Sequence, residues 1–411
     1  MRILTRAEAL PSWYPAWQNP GVIVAIPSSG TVPGGGSFGD SSLLAAQEAR
    51  VGTSEDWTPP DDVIAGGSLW PYNLFGYSGG TVAYMGGQPY LCVMGGGHLN
   101  GPDNSIYAFG PLYGPGADNP QWSQLSSQSR ESHLRTCTQH NADGRPTARH
   151  TSGDFSYGAG KICMLWMNSV HCGPGGVSRG VDVYDVASGD WDEARGISHP
   201  DTGDFRRIKQ HSNSVYVPTT GLFYSITGQT IGAYNPFGRT VDGVEPRSWR
   251  NEGTMRSGGV GGDSMCCPMG DMGGGLADTV FAFDRGPGSS TEPQKINVRS
   301  AESTSWATAD YPRGSAQAVA YDSHQERLYA LNSGVSSSPN NRTLEPGTRD
   351  VAWVSVHGDN PTWNHETFHG DTPPQQVTAG TYGRWSYVKE LRGFVVVNHA
   401  GSSVYFYRVT V

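Results

Sequence analysis

Histidine, arginine, tyrosine and asparagine collect in the glycine-rich breaks of this chain more than in its apolar runs. His98 and Asn100 follow three glycines in GGGHLN, Arg149 and His150 open RHTSG, and His211 opens HSNSVYV. Tyr382 and Arg384 stand in TYGRW, and Asn398 precedes His399 in a further break. Neutral imidazole is the usual side chain for taking a proton near neutral pH, because its pKa lies close to it. Arginine or an amide neutralises a carboxylate and the enolate formed from it. A cleft holding these types together would suit an anionic sugar chain and the abstraction of a proton beside a uronate carboxylate. Plainer readings stand beside this one. A histidine heading a strand can be a satisfied buried imidazole, and arginines in a stacked array can pair between units.

A second constellation has metal-ligating types. Cys137 and His140 form a C-x-x-H pair, and His171 is adjacent to Cys172. Two such pairs would supply the four ligands of a structural zinc site. The spacing matches no known finger, so the alternative is one buried thiol and scattered loop histidines. Apart from that zinc, no cofactor is expected. There is no phosphate loop, dinucleotide fingerprint, serine elbow or calcium loop. Cys92 and Cys163 lie inside apolar runs and read as buried free thiols. Cys266 and Cys267 are adjacent and would point to opposite faces of a strand.

What must position such residues is a repeat. Trp122, Trp191, Trp249, Trp306 and Trp363 are separated by 69, 58, 57 and 57 residues. Each follows three short strand-like runs broken by Gly, Pro, Asn and Asp. In the first unit a strand at 79–84 turns through Gly86-Gly87 into a second at 90–94. A third follows at 105–109, and Trp122 marks the fourth. The same order recurs with KICMLWM, VDVYDV and DWDEA, then with LFYSITG, IGAYNP and RSWRN. The fourth unit (MCCPM, TVFAFD, KINV, TSWAT) is the least regular, and a last unit ends after three strands.

Units so small and glycine-rich bury no core alone and must stack on one another. Four short antiparallel strands repeated about six times predict an all-β fold, a six-bladed β-propeller. A seventh blade from residues 30–75 is the alternative count. The unfinished last blade predicts closure by an N-terminal strand, from GVIVAIP at 21–27 or from the segment ending at Trp57. The chain then divides into an N-terminal segment, 1–76, and a propeller, 77–411. In a propeller, the loops entering strand one and joining strands two and three open on one face. This places the histidines above, with Arg256 and Arg313, at matching edges of several blades.

VMGGGH with NSIYAF and PQW, followed by weaker copies in VDVYDVASGDW and TVFAFD, resembles the kelch-type propellers. That likeness covers roughly residues 77–411 and speaks to fold. Kelch propellers include sugar oxidases, ulvan-type polysaccharide lyases and plain binding scaffolds. His98 in GGGH and His150 in RHTSG look similar to the histidine pair of the ulvan-lyase-like propellers. Tyr157 or Tyr382, with Arg384, would complete that catalytic set. Asn100, Arg149, His211 and Asn398 would then bind substrate. Copper chemistry of the galactose-oxidase type fits less well, because no Cys-Tyr arrangement with the right local pattern stands out.

Composition removes other classes. The chain has 411 residues and a net charge of −9 without a basic cluster, which argues against nucleic acid. No window approaches a membrane span. Aromatics at 10% with 57 glycines indicate a folded, turn-rich protein rather than a disordered one. The N-terminus lacks the apolar stretch of a secretory signal. The expected partner is a polysaccharide or surface glycan. The leading expectation is a lyase acting on an acidic glycan. Its rival is a non-catalytic propeller of a bacteriophage tail or fibre, with virion partners and release by lysis. An extracellular or virion-associated place fits both, and a cytoplasmic kelch-like scaffold is the third alternative.

Overall fold

The computed structural model describes residues 10–14, 22–26, 30–31, 37–38, 78–94, 104–126, 129, 139–148, 151, 153–165, 180–200, 213–255, 265–268, 276–283, 293–306, 318–332, 350–358, 361–371, 373, 381–398 and 403–409. Their strands form six antiparallel blades, each built in simple up-and-down order. The first blade shows why. Gly80–Met85 and Gln88–Met94 are joined by Gly86-Gly87 at φ of 57° and 83°, a two-residue turn that requires left-handed backbone at both positions. Ile106–Gly110 and Gln121–Gln124 complete the blade. The next four blades begin with Ser156–Gly158, Asn213–Val217, Met265–Pro268 and Val319–Asp322. The sixth begins with Trp385–Val388.

These six first strands touch one another in sequence and back to the start, so they form a closed inner ring. The ring is completed as the unfinished last unit predicts. Val22–Ala25 pairs antiparallel with Tyr405–Arg408 and becomes the fourth strand of the sixth blade. On its other side it pairs in parallel with His369–Gly370. Of the two expected closing segments, 21–27 is the one used. Residues 10–14 add a second tie. Trp13 Nε1 donates to the Ala117 carbonyl of the first blade at 2.7 Å, and the Tyr14 hydroxyl donates to the Leu391 carbonyl of the sixth, also at 2.7 Å.

The core lies between the blades. Six buried apolar clusters among the described residues coincide with the six seams. Leu91 and Phe109 meet Val395 and Phe406 between the first and sixth blades, for example. Cys92 and Met94 meet Ile162 and Met164 between the first and second. The other four clusters fill the remaining seams in the same manner. The middle strands therefore bury both faces, which explains runs such as Ile106–Gly110 with no exposed position, while outer strands such as Asn364–Thr367 stay largely exposed.

The recurrent tryptophans occupy the outermost strands or their ends. Trp122 lies directly opposite Phe109, Trp191 opposite Tyr184, and Trp249 opposite Tyr234. The ring centroids are 5.3, 5.5 and 4.9 Å apart. Such pairs contribute roughly 0.5–1.5 kcal/mol beyond burial and hold the last strand in register. Cys92 and Cys163 are buried free thiols, and burial pushes the Cys92 thiol up to about 12.

One polar bridge crosses a seam away from the axis. His199, with no exposed side-chain surface, places Nε2 at 3.1 Å from Asp192 Oδ2 of the second blade. Its Nδ1 lies 2.6 Å from the Tyr234 hydroxyl of the third.

Candidate functional site

The inner ring encloses an axial channel with a cavity of about 230 Å³. First strands of the first, second, third, fifth and sixth blades contribute its described lining. Hydroxyls come from Thr81, Ser156, Ser214 and Ser386, phenol rings from Tyr157, Tyr216, Tyr321 and Tyr387, and apolar surface from Val82, Phe155, Val215, Val319, Ala320 and Trp385. No charged side chain is among the described lining residues. Ser156 and Ser214 exchange a hydrogen bond of 2.8 Å across the seam of their blades, and Ser386 donates to the Gly383 carbonyl.

The tyrosines recur for a structural reason. Tyr84, Tyr157, Tyr216, Tyr321 and Tyr387 each stand one residue before the last position of a first strand, beside the turn to the second. From there they reach the preceding blade. The Tyr157 hydroxyl donates to the Tyr84 carbonyl at 3.2 Å, and the Tyr84 hydroxyl donates to Glu390 Oε2 at 3.1 Å. The Tyr387 hydroxyl lies 2.8 Å from His324 Nδ1. Tyr216 covers Gly158, where any side chain would collide with the ring. Burial is the leading cause that raises the phenol pKa of Tyr84, Tyr157, Tyr321 and Tyr387. Carboxylates add to it: Glu390 at Tyr84, Glu326 at Tyr321, and Asp322 at Tyr387. These phenols stay neutral at working pH and serve as hydrogen-bonding, stacking groups rather than bases.

At the other end of the first strands the chain is small. Gly80, Gly153 and Gly383 line the channel there. Gly383 lies so close to the Gly80 carbonyl that a Cβ would fall 2.0 Å from its oxygen. Behind them Arg384 is completely buried against Gly80 across the seam of the sixth and first blades. Its Nε donates to the Thr381 carbonyl at 3.1 Å, and the Thr381 hydroxyl donates to Asn398 Oδ1 at 2.7 Å. Burial draws the Arg384 guanidinium down to about 9, with neighbouring Tyr382 pulling the other way. Tyr382 is buried at φ 47°, in the short helical turn that leads into the sixth first strand.

The structure thus brings Tyr382, Arg384 and Asn398 together at the entrance of one blade. Tyr157 sits at the opposite, turn-side end of its strand, so it does not join them. His140 is on the link between the first and second blades, with Nε2 at 2.6 Å from Oδ1 of the buried Asp182. No three His, Cys, Asp or Glu side chains converge as a metal site among the described residues. His98, Asn100, Arg149, His150, His211, Cys137, His171 and Cys172 lie outside the described residues. The tyrosine collar escaped the sequence reading. Its signal was an aromatic residue immediately ahead of the last position of the first strand in five of the six blades, the fourth having Cys267 there.

No family model and no curated protein matches the chain. Solved structures are similar at low identity. A chain of a mitotic checkpoint complex is 11% identical with a TM-score of 0.38, covering 83% of this chain and 92% of that one. YjhT is 11% identical with a TM-score of 0.43, covering 82% and 94%. An auxiliary nutrient binding protein from Bacteroides ovatus is 9% identical with a TM-score of 0.39, covering 82% and 69%. The propeller assignment rests on the strand pairing and the closed inner ring, and neither distinguishes a kelch-type propeller from others.

Proposed function

We propose that the protein is a carbohydrate-binding propeller that takes a sugar into its axial channel. The lining carries this reading: tyrosine rings beside hydroxyls, with no charged group among the described residues. Aromatic faces accept the apolar C–H face of a pyranose, and hydroxyls exchange hydrogen bonds with its rim. A cavity of about 230 Å³ lies below the ~300–1,000 Å³ of clefts for drug-sized ligands, so it suits one small ring rather than a long segment.

The finer proposal is β-elimination on an acidic glycan at the entrance side of the channel. A histidine, His98 or His150, removes the proton at C5 of a uronate. The electron pair forms the C4–C5 double bond, the C4–O bond breaks, and the leaving oxygen takes a proton from the other histidine, since Tyr382 has no exposed surface. Arg149 neutralises the carboxylate, while Asn100 and His211 hold hydroxyls; Asn398 is completely buried and supports Thr381 instead. Arg384 has no exposed surface, so its part is to position Thr381, and through it Asn398, rather than to meet the carboxylate. Tyr157 contributes a ring to the channel wall rather than a proton.

Unsaturated uronate absorbs in the ultraviolet, so product formation is read directly on ulvan-like and glycosaminoglycan substrates. His98→Ala and His150→Ala should bind substrate as before and lose about 10²–10⁴-fold in rate, the usual worth of a general acid or base. Binding without product would overturn the elimination reading, and no binding to any acidic or neutral saccharide would overturn the carbohydrate reading itself.

A further inference from the structure

Most polar hydrogens on the described channel wall are committed to protein acceptors. Ser214 Oγ lies 3.4 Å from the Cys163 carbonyl, which can only accept, so Ser214 donates there and Ser156 donates to Ser214 at 2.8 Å. Ser386 donates to the Gly383 carbonyl, Tyr157 to the Tyr84 carbonyl, and Trp385 Nε1 to the Tyr329 carbonyl. Tyr387 has two acceptors in the seam of the fifth and sixth blades. One is His324 Nδ1 at 2.8 Å. The other is the completely buried Asp322, whose Oδ1 accepts from the His324 and Gln325 amides while its Oδ2 has no partner. Burial first, and the Asp322 carboxylate second, raise the Tyr387 phenol. Whichever nitrogen of His324 carries the proton, the Tyr387 hydrogen goes to one of these two.

The hydroxyls of Ser156, Ser214, Ser386, Tyr157 and Tyr387 thus keep lone pairs but have no hydrogen left for an occupant. Thr81 can serve either sign by rotating its hydroxyl. No Lys, Arg, His, Asn or Gln is among the described lining residues. The inner edges of the first strands offer backbone N–H and C=O alike, which favours neither sign. Carboxylates stand behind the wall: Glu326 and then Asp322 add to burial in raising the Tyr321 phenol, while Arg392 opposes Asp322 at Tyr387. We propose that the channel takes an amino sugar, with its protonated amine set against the hydroxyl lone pairs. This rests on the carbohydrate reading of the same channel. An ammonium only donates, a sugar hydroxyl donates and accepts, and a carboxylate only accepts. Against hydroxyls whose hydrogens are spent, the order of fit is amine, neutral sugar, carboxylate. A hydrogen bond from a charged donor is also the stronger kind. The uronate of the elimination reading stays outside this lining, on the entrance face.

The test is calorimetric titration of the full chain with the methyl glycosides of glucosamine, N-acetylglucosamine, glucose and glucuronic acid, below and above the pKa of the sugar amine. At the lower pH glucosamine should bind at least tenfold tighter than the acetylated and neutral sugars, and glucuronate weakest. At the higher pH that advantage should vanish while the neutral sugars bind as before. Two variants map the preference to the channel. Thr81→Lys and Ser386→Lys place a cation among the lone pairs from different blades, at half-buried lining positions, and each should erase the preference with melting unchanged. Should one of the two fail to fold, the other carries the test. Equal binding of glucosamine and N-acetylglucosamine, or a preference for glucuronate, would overturn the amino-sugar proposal while leaving the carbohydrate reading intact. An amine preference untouched by both substitutions would also overturn it, by moving the site off the axis. Binding to no saccharide at all would overturn both proposals.

Discussion

At the scale of single residues, several polar groups tie one blade to the next. His199 is the clearest case, since it holds Asp192 and Tyr234 together in a seam with no solvent contact. Removing the imidazole leaves a buried carboxylate and a buried phenol each short of a partner. His199→Ala should therefore destabilise the fold by about 2–4 kcal/mol and leave saccharide binding at the axis unchanged. Thermal melting beside a binding titration checks both halves, and an unchanged Tm would show that the bridge contributes nothing. His199 was invisible in the sequence because its segment, GISHP, carries no strand pattern, and its two partners lie in different units. Arg384 was legible as a polar residue at a strand entrance. Its complete burial was not, because the cause is the side-chain-free surface of Gly80 in another blade.

At the scale of elements, the tryptophan period was readable because it has a local cause. In the first three blades a tryptophan of the outer strand lies opposite an aromatic of the third strand, as Trp122 does on Phe109. The closing strand was readable for a complementary reason: three strands in the last unit imply a fourth from elsewhere. Val22–Ala25 shields the edge of Tyr405–Arg408, and residues 10–14 fasten the same seam. A chain beginning at residue 28 should lose several degrees of Tm and self-associate, because the sixth blade then presents an unpaired edge. Calorimetry with size-exclusion chromatography reads both effects. Unchanged melting and a monomeric profile would mean that the ring holds without its clasp. The recurrent tyrosines went unread because a single tyrosine in five of the six first strands looks like ordinary strand composition until the turns align them.

At the scale of the whole molecule, the six apolar clusters lie at the seams, so no blade keeps its core when separated from its neighbours. The same arrangement frees the axis from packing duty. First strands touch side by side, and what remains between them is a small channel whose described lining mixes hydroxyls, tyrosines and apolar side chains. The most direct measurement of the central claim is a crystal structure of the protein with a bound oligosaccharide. The account predicts density for a sugar ring inside the channel, in contact with Tyr321 or Tyr387. A sugar found on the outer strands, with the channel holding only water, would contradict it.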